Sequence, residues 1–206
     1  MKISMVAAAV AALVSVSTGA PYAWSQTAAP TLDGVKAGAY KVESYHTQVG
    51  FSLSHFGFTN YAGLFSGATG SLQLDPAHLT EAKLDVSIPV QSIETTVPQL
   101  TEELKGGQWF DTAKFPSATF TSTKIVAGSN GEATITGNLT LHGVTKPVVL
   151  HAHFIGAGVN PIDKAYTVGF EATTTIKRSE FGVTTYVPAV GDDVRLTIAG
   201  AFERQG

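Results

Sequence analysis

From Tyr40 to the C-terminus the chain alternates apolar and polar residues in one short run after another, and only once does it offer a segment that reads as helix. Val49, Phe51 and Leu53 form the first row, and Leu72 and Leu74 end a Gly/Ser-rich run that starts near Gly63. Leu84, Val86, Ile88 and Val90 follow, then Ala118 and Phe120 among threonines, then Ala133 to Leu141, Tyr166 to Ile176 and Val194 to Phe202. Period-two alternation marks strands with one apolar face. Turn signals separate the runs at Asp75-Pro76, Ser129-Asn130-Gly131, Gly143, Asn160-Pro161 and Gly191-Asp192. The helical segment is Val97–Lys105, with Pro98 as first helical residue and Gly106-Gly107 as the stop; Glu102 and Glu103 read as acids favouring the helix dipole. A second candidate, Asp111–Lys114, is about one turn long. One short helix cannot cover so wide a sheet, so the apolar faces must bury one another in a sandwich or a barrel. Every link but Ile93 to Ala118 is short enough to join neighbouring antiparallel strands. Closure also removes exposed edges. The expected class is all-β, an antiparallel barrel of about eight or nine strands.

The clearest hairpin is Gly137–Phe154. Leu139 and Leu141 alternate on one side of a turn at His142-Gly143; Val148, Leu150, Ala152 and Phe154 alternate on the other. Pro147 has no N–H to donate and suits the mouth of the returning strand. His151 and His153 share the face opposite the apolar row, so they are expected outside, as a solvated surface rather than a metal site.

The inward rows mix large residues with Gly70, Ala118, Ala133, Gly137, Ala152, Ala172 and Gly200. The small residues leave two readings open. They either open an apolar void or let tightly coiled strands pack and fill the taper. Loop aromatics lie off the rows. Phe56, Phe58, Tyr61 and Phe65 cluster in one segment, Trp109 and Phe110 follow the helix, and Phe181 precedes Gly182. They are placed to rim a mouth or plug an end.

The N-terminus carries Lys2 and then a mostly apolar run from Ile3 to Val16. That run is shorter than the roughly 20 residues of a spanning helix and reads as a secretory signal over residues 1–25. Cleavage is expected after Ser25, with Ala20 and Ala23 as alternatives; residues 26–39 read as a flexible lead-in to a domain over 40–206. Net charge is −3 with no basic cluster, which argues against a nucleic-acid partner. The chain has no cysteine, which excludes thiolate metal sites and thiol catalysis and leaves stability to the core. Hydrolase, zinc-protease and phosphate-loop motifs are absent from the sequence. Neither cofactor nor metal is expected. His55 continues the first row and is expected to point inward at a strand end, where it would hydrogen-bond a polar head group or be satisfied structurally.

Five ordered stretches carry a family resemblance: Val49–Gly57, Leu104–Asp111 with Lys114–Thr123, Gly137–Val148 (GNLTLHGVTKPV), Gly169–Ile176 and Arg178–Gly182. Together they resemble the YceI-like family of exported lipid-binding proteins. This chain departs from the family's pattern at Ala62, Glu103 and Gln108, near the presumed mouth. The resemblance implies an extended, lipocalin-like, eight-stranded antiparallel barrel with one or two short helices, located in the periplasm. It implies a binding protein, not an enzyme, that holds a polyprenyl chain, an isoprenoid quinone or a fatty-acid derivative. The partners expected are that long-chain lipid and, transiently, a membrane or a quinone-using membrane protein; monomer and homodimer both stay open. The ligand-contacting residues expected are Phe51, Leu53, His55, Phe58 and Phe65, then Leu84, Val86 and Ile88. Trp109, Phe110 and Phe120 follow, and last Leu139, Leu141, Leu150, Phe154, Phe170 and Phe181. Two alternatives stand beside this. One is a lipid isomerase or cyclase using His55 or Arg178. The other is a ligand-free stress-response domain whose small residues serve packing.

Overall fold

The computed structural model describes residues 28–206; the secretory signal expected over residues 1–25 lies outside the described residues, as do Gln26 and Thr27. Eleven strands and one α-helix follow in order. They are β1 (Gly38–Val42), β2 (Gln48–His55), β3 (Thr59–Phe65), β4 (Thr69–Leu74), β5 (Lys83–Pro89), β6 (Glu94–Thr95), α1 (Pro98–Lys105), β7 (Ser117–Ala127), β8 (Glu132–Leu141), β9 (Val144–Val159), β10 (Tyr166–Lys177) and β11 (Asp193–Arg204).

Six of these strands make only three staves of the barrel. β1 and β2 both pair with β11, at Tyr40↔Arg204 and Phe51↔Leu196; β4 pairs with β1 and β3 with β2. Each pair is therefore one bent strand, and β5 with β6 makes a third, against β4 and β3. With β7 to β11 the count is eight antiparallel staves, closed through β1–β11. Thr47 bridges the break between β1 and β2. Its hydroxyl accepts from the Ala201 N–H at 3.0 Å and donates to the Ala201 carbonyl at 3.3 Å, standing in for a missing ladder rung.

The helix begins at Pro98, whose missing N–H is no loss at a first turn. That start leaves no acid in the first turn, contrary to the dipole role expected of Glu102 and Glu103. Glu102 instead pairs with Lys105 at 2.7 Å, and Glu103 accepts a hydrogen bond from Trp109 Nε1 at 3.2 Å. Leu104 is the buried anchor of α1, which is tied to β6 by the Thr95 N–H donating to Thr101 Oγ1 at 3.0 Å. Asp111–Lys114 forms turns rather than a second helix.

The described part of the lead-in, though mostly exposed, is tied to the barrel at several points. Ala29 and Ala157 exchange backbone hydrogen bonds of 2.8 and 3.0 Å, Val35 is 6% exposed, and Arg204 Nε donates to the Ala37 carbonyl at 3.1 Å. The segment closes one end of the barrel over Tyr40, Phe154, Val168 and Phe202. The other end is filled around Phe51, Ile93, Leu104, Trp109, Phe181 and Val183.

Gly137 shows that some small inward residues are packing devices. A Cβ there would overlap the Phe120 ring and stand 2.6 Å from the Thr121 carbonyl oxygen. The ring of one strand lies across the glycine of its neighbour, so at Gly137 the packing reading holds and no space is left. Gly137→Val should lower stability by about 1–3 kcal/mol, read from the urea midpoint at unchanged slope.

Candidate functional site: the barrel lumen

The inward rows of the eight staves enclose two cavities, of about 200 Å³ and about 120 Å³. They adjoin at Val49, Ile88, Leu139 and Leu196, which line both. The larger is walled by aliphatic side chains from every stave and backed by a row of rings, with centroid distances of 5.5 Å for Phe154–Phe170 and 6.1 Å for Phe170–Phe202. Three alanines lie side by side across β8, β9 and β10 in its wall, through the pairs Ala133↔Ala152 and Ala152↔Ala172. Here the small residues do leave room. The smaller cavity is ringed by aromatics at the α1 end, where Phe65 stands 5.6 Å from Phe51 and 5.7 Å, edge-on, from Phe110.

Most expected contact residues line these cavities. Leu84, Val86, Phe120, Leu150, Phe154 and Phe170 face the larger. Phe51, Leu53, Phe65, Trp109, Phe110 and Leu141 face the smaller, while Ile88 and Leu139 face both. Three do not. His55 is exposed, stacked edge-on against Phe56 at 4.6 Å, because at that end of β2 no facing stave remains to enclose it. Row parity gives a residue's face but not whether anything stands opposite. Phe58 is 88% exposed at the tip of the β2–β3 hairpin. Phe181 is 1% exposed, yet it packs in the turn after β10 and lines neither cavity.

Sequence reasoning missed Val49 and Leu196 at the waist, although both lie on rows it had identified. It missed Leu32 because that residue comes from the lead-in. It also missed Ile125, which parity from Phe120 would turn outward. The β7–β8 register shifts between Ser122 and Lys124, and this one-residue bulge returns Ile125 to the lumen.

One charge lies against the smaller cavity. Arg178 is 5% exposed and its guanidinium sits 5.5 Å above the Trp109 ring. Nε donates to the Gly191 carbonyl at 2.8 Å, Nη1 to that of Val183 at 2.9 Å, and Nη2 to those of Thr185 and Val190 at 2.9 and 2.8 Å. Burial pushes its pKa down, while Asp192 pulls it up. The arginine thus gathers the loop between β10 and β11 around itself. Four of its five N–H donors serve that loop, and His55 stands outside the lumen.

The same loop is held by Asp192, which accepts from the Ser179 N–H at 2.9 Å and the Ser179 hydroxyl at 2.8 Å. Burial raises its pKa, but those two bonds with Lys177 and Arg178 outweigh it and hold the carboxyl below its ordinary value. A depressed carboxylate contributes stability above its unfolded pKa of about 3.9 and loses it as pH falls through the folded value. Wild type should therefore be more stable than Asp192→Asn at neutral pH and lose that advantage as the pH falls through the folded value, converging with the variant in acid, as read by urea unfolding at each pH.

Known proteins resemble this chain in sequence and fold. A Shewanella baltica UPF0312 protein is 36% identical over 141 residues, 68% of this chain and 73% of its own length. A Vibrio parahaemolyticus UPF0312 protein is 31% identical over 169 residues, 81% and 89% of the two chains. The Campylobacter jejuni YCEI crystal structure superposes with a TM-score of 0.65 at 30% identity, covering 75% of this chain and 91% of that one. A polyisoprenoid binding domain from Saccharophagus degradans shares the fold, with a TM-score of 0.61 at 13% identity, over 82% of this chain and all of that one. The YceI-like domain model matches residues 40–202, which is the whole barrel from β1 into β11, and the chain belongs to that family.

Proposed function

We propose that this protein binds a long apolar lipid of isoprenoid type, a polyprenyl chain or isoprenoid quinone, in its lumen, and carries it through the periplasm after export on the N-terminal signal. The observation that carries this reading is the pair of adjoining cavities walled almost wholly by hydrocarbon. A hydrocarbon chain matches that lining, and each buried CH₂ contributes about 0.8 kcal/mol without any polar contact. The fold shared with a polyisoprenoid binding domain supports the same ligand class. Loading and unloading then call for transient contact with a membrane or a quinone-using membrane protein. Organic extraction of protein purified from a periplasmic fraction, followed by mass spectrometry, should yield a long-chain isoprenoid in near-stoichiometric amount. Protein that carries no lipid and binds no added farnesol in calorimetry would sink the reading.

A further inference from the structure

β9 and β10 part halfway along the barrel. Their pairing runs from Tyr166↔Val159 to Thr173↔His151 and stops there. Beyond that point β9 stays paired with β8 as far as Leu141↔Val144, and β10 with β11 as far as Lys177↔Asp193. The wall is therefore unladdered between Lys146–Leu150 and Thr174–Lys177. Pro147, which has no N–H to offer a neighbour, sits on this open edge. Outside the parting lies a cleft of about 690 Å³. Val148 and Thr174 line both this cleft and the larger cavity, and Ile176 lines both the cleft and the smaller one. A single layer of side chains separates lumen from solvent there. The cleft is also where cations gather: Lys146, Lys177 and Arg195, with His151 beside them. Of its two acids, Asp193 is 2.7 Å from Lys177, and Glu180 is the other. Among the described residues, Lys146 and Arg195 make no ion pair, and both are exposed. A hydrocarbon lumen has no use for such charge, whereas an amphiphile's head group does.

We propose that this parting is a side port, through which a lipid lying in the lumen passes its head group outward, and that an anionic head, phosphate or carboxylate, is held there by Lys146 and Arg195. The proposal rests on the lipid-binding reading above and extends it to the ligand's polar end. Ammonium and guanidinium groups make charge-assisted hydrogen bonds to either anion. The test is calorimetry at low salt on the mature chain with two matched probe pairs, farnesol with farnesyl phosphate and hexadecanol with palmitate. In wild type the anionic member should bind about tenfold or more tighter than its alcohol. Lys146→Glu with Arg195→Glu should abolish that advantage and leave both alcohols unchanged. An advantage confined to farnesyl phosphate assigns the port to phosphates; one confined to palmitate assigns it to carboxylates. Alcohols that bind with no anionic advantage, or a variant that weakens alcohol and anion equally, would overturn the port while leaving the lumen reading intact. If none of the four probes binds, both fall.

Discussion

Ala152→Leu combined with Ala172→Leu should empty the protein of lipid while leaving it at least as stable as wild type. The two alanines face each other across β9 and β10 and line the larger cavity, with Ala133 beside them. Each exchange carries three more carbons into a space of about 200 Å³. Where a void receives them, every added methylene gains about 0.8 kcal/mol of burial. Where side chains already fill the space, overpacking costs about 1–3 kcal/mol per site. The sign of the stability change therefore decides between a lumen built to be occupied and one packed shut. Urea unfolding gives the sign, and mass spectrometry of the organic extract gives the lipid. A stable double variant that keeps its full complement of lipid would place the ligand elsewhere. A variant weakened by several kcal/mol and equally empty would mean that no usable void exists at these alanines.

Arg178→Met should lower stability by at least ~3 kcal/mol, since each buried carbonyl left without a donor costs about 1–3 kcal/mol. Methionine keeps much of the arginine's length and apolar volume, so packing against Trp109 is largely preserved and the lost hydrogen bonds dominate. Four carbonyls, from Val183, Thr185, Val190 and Gly191, lose their partner together. At this chain length ~3 kcal/mol corresponds to a melting temperature lower by about 6–12 °C. Arg178→Lys should recover little. An ammonium has three donors on one nitrogen and cannot reproduce the planar fork that reaches carbonyls on both sides of the loop. A melting shift of under ~2 °C for Arg178→Met would mean that water takes over the carbonyls and that the arginine does not organise the loop.

The barrel was legible because alternation is local. Period two in Leu139–Leu141, Leu150–Phe154 and Leu84–Ile88 assigns a face to each residue, and the lack of helices to cover those faces forces them onto one another. Most of the lumen wall follows from that parity alone. Misplacements occur where parity does not apply. His55 continues its row past the point where the barrel has an opposite wall, and Ile125 is turned inward by a bulge. Leu32 and Val35 cap the barrel from a segment with no periodicity to read.

The sequence by itself determined that this chain makes an antiparallel barrel with an apolar interior and outward-facing His151 and His153, because side-chain direction along a strand depends only on backbone geometry. Only the tertiary structure decided which small residues leave space. Gly137 lies beneath the Phe120 ring, while Ala133, Ala152 and Ala172 border a void. That difference depends on the size of the side chain across the strand and on register, neither of which a single strand records. The parting of β9 and β10 is of the same kind. β9 keeps Val148 and Leu150 on its inward row and β10 keeps Ile176 past the point where they separate, and only their spacing in three dimensions shows that the wall there has no rungs.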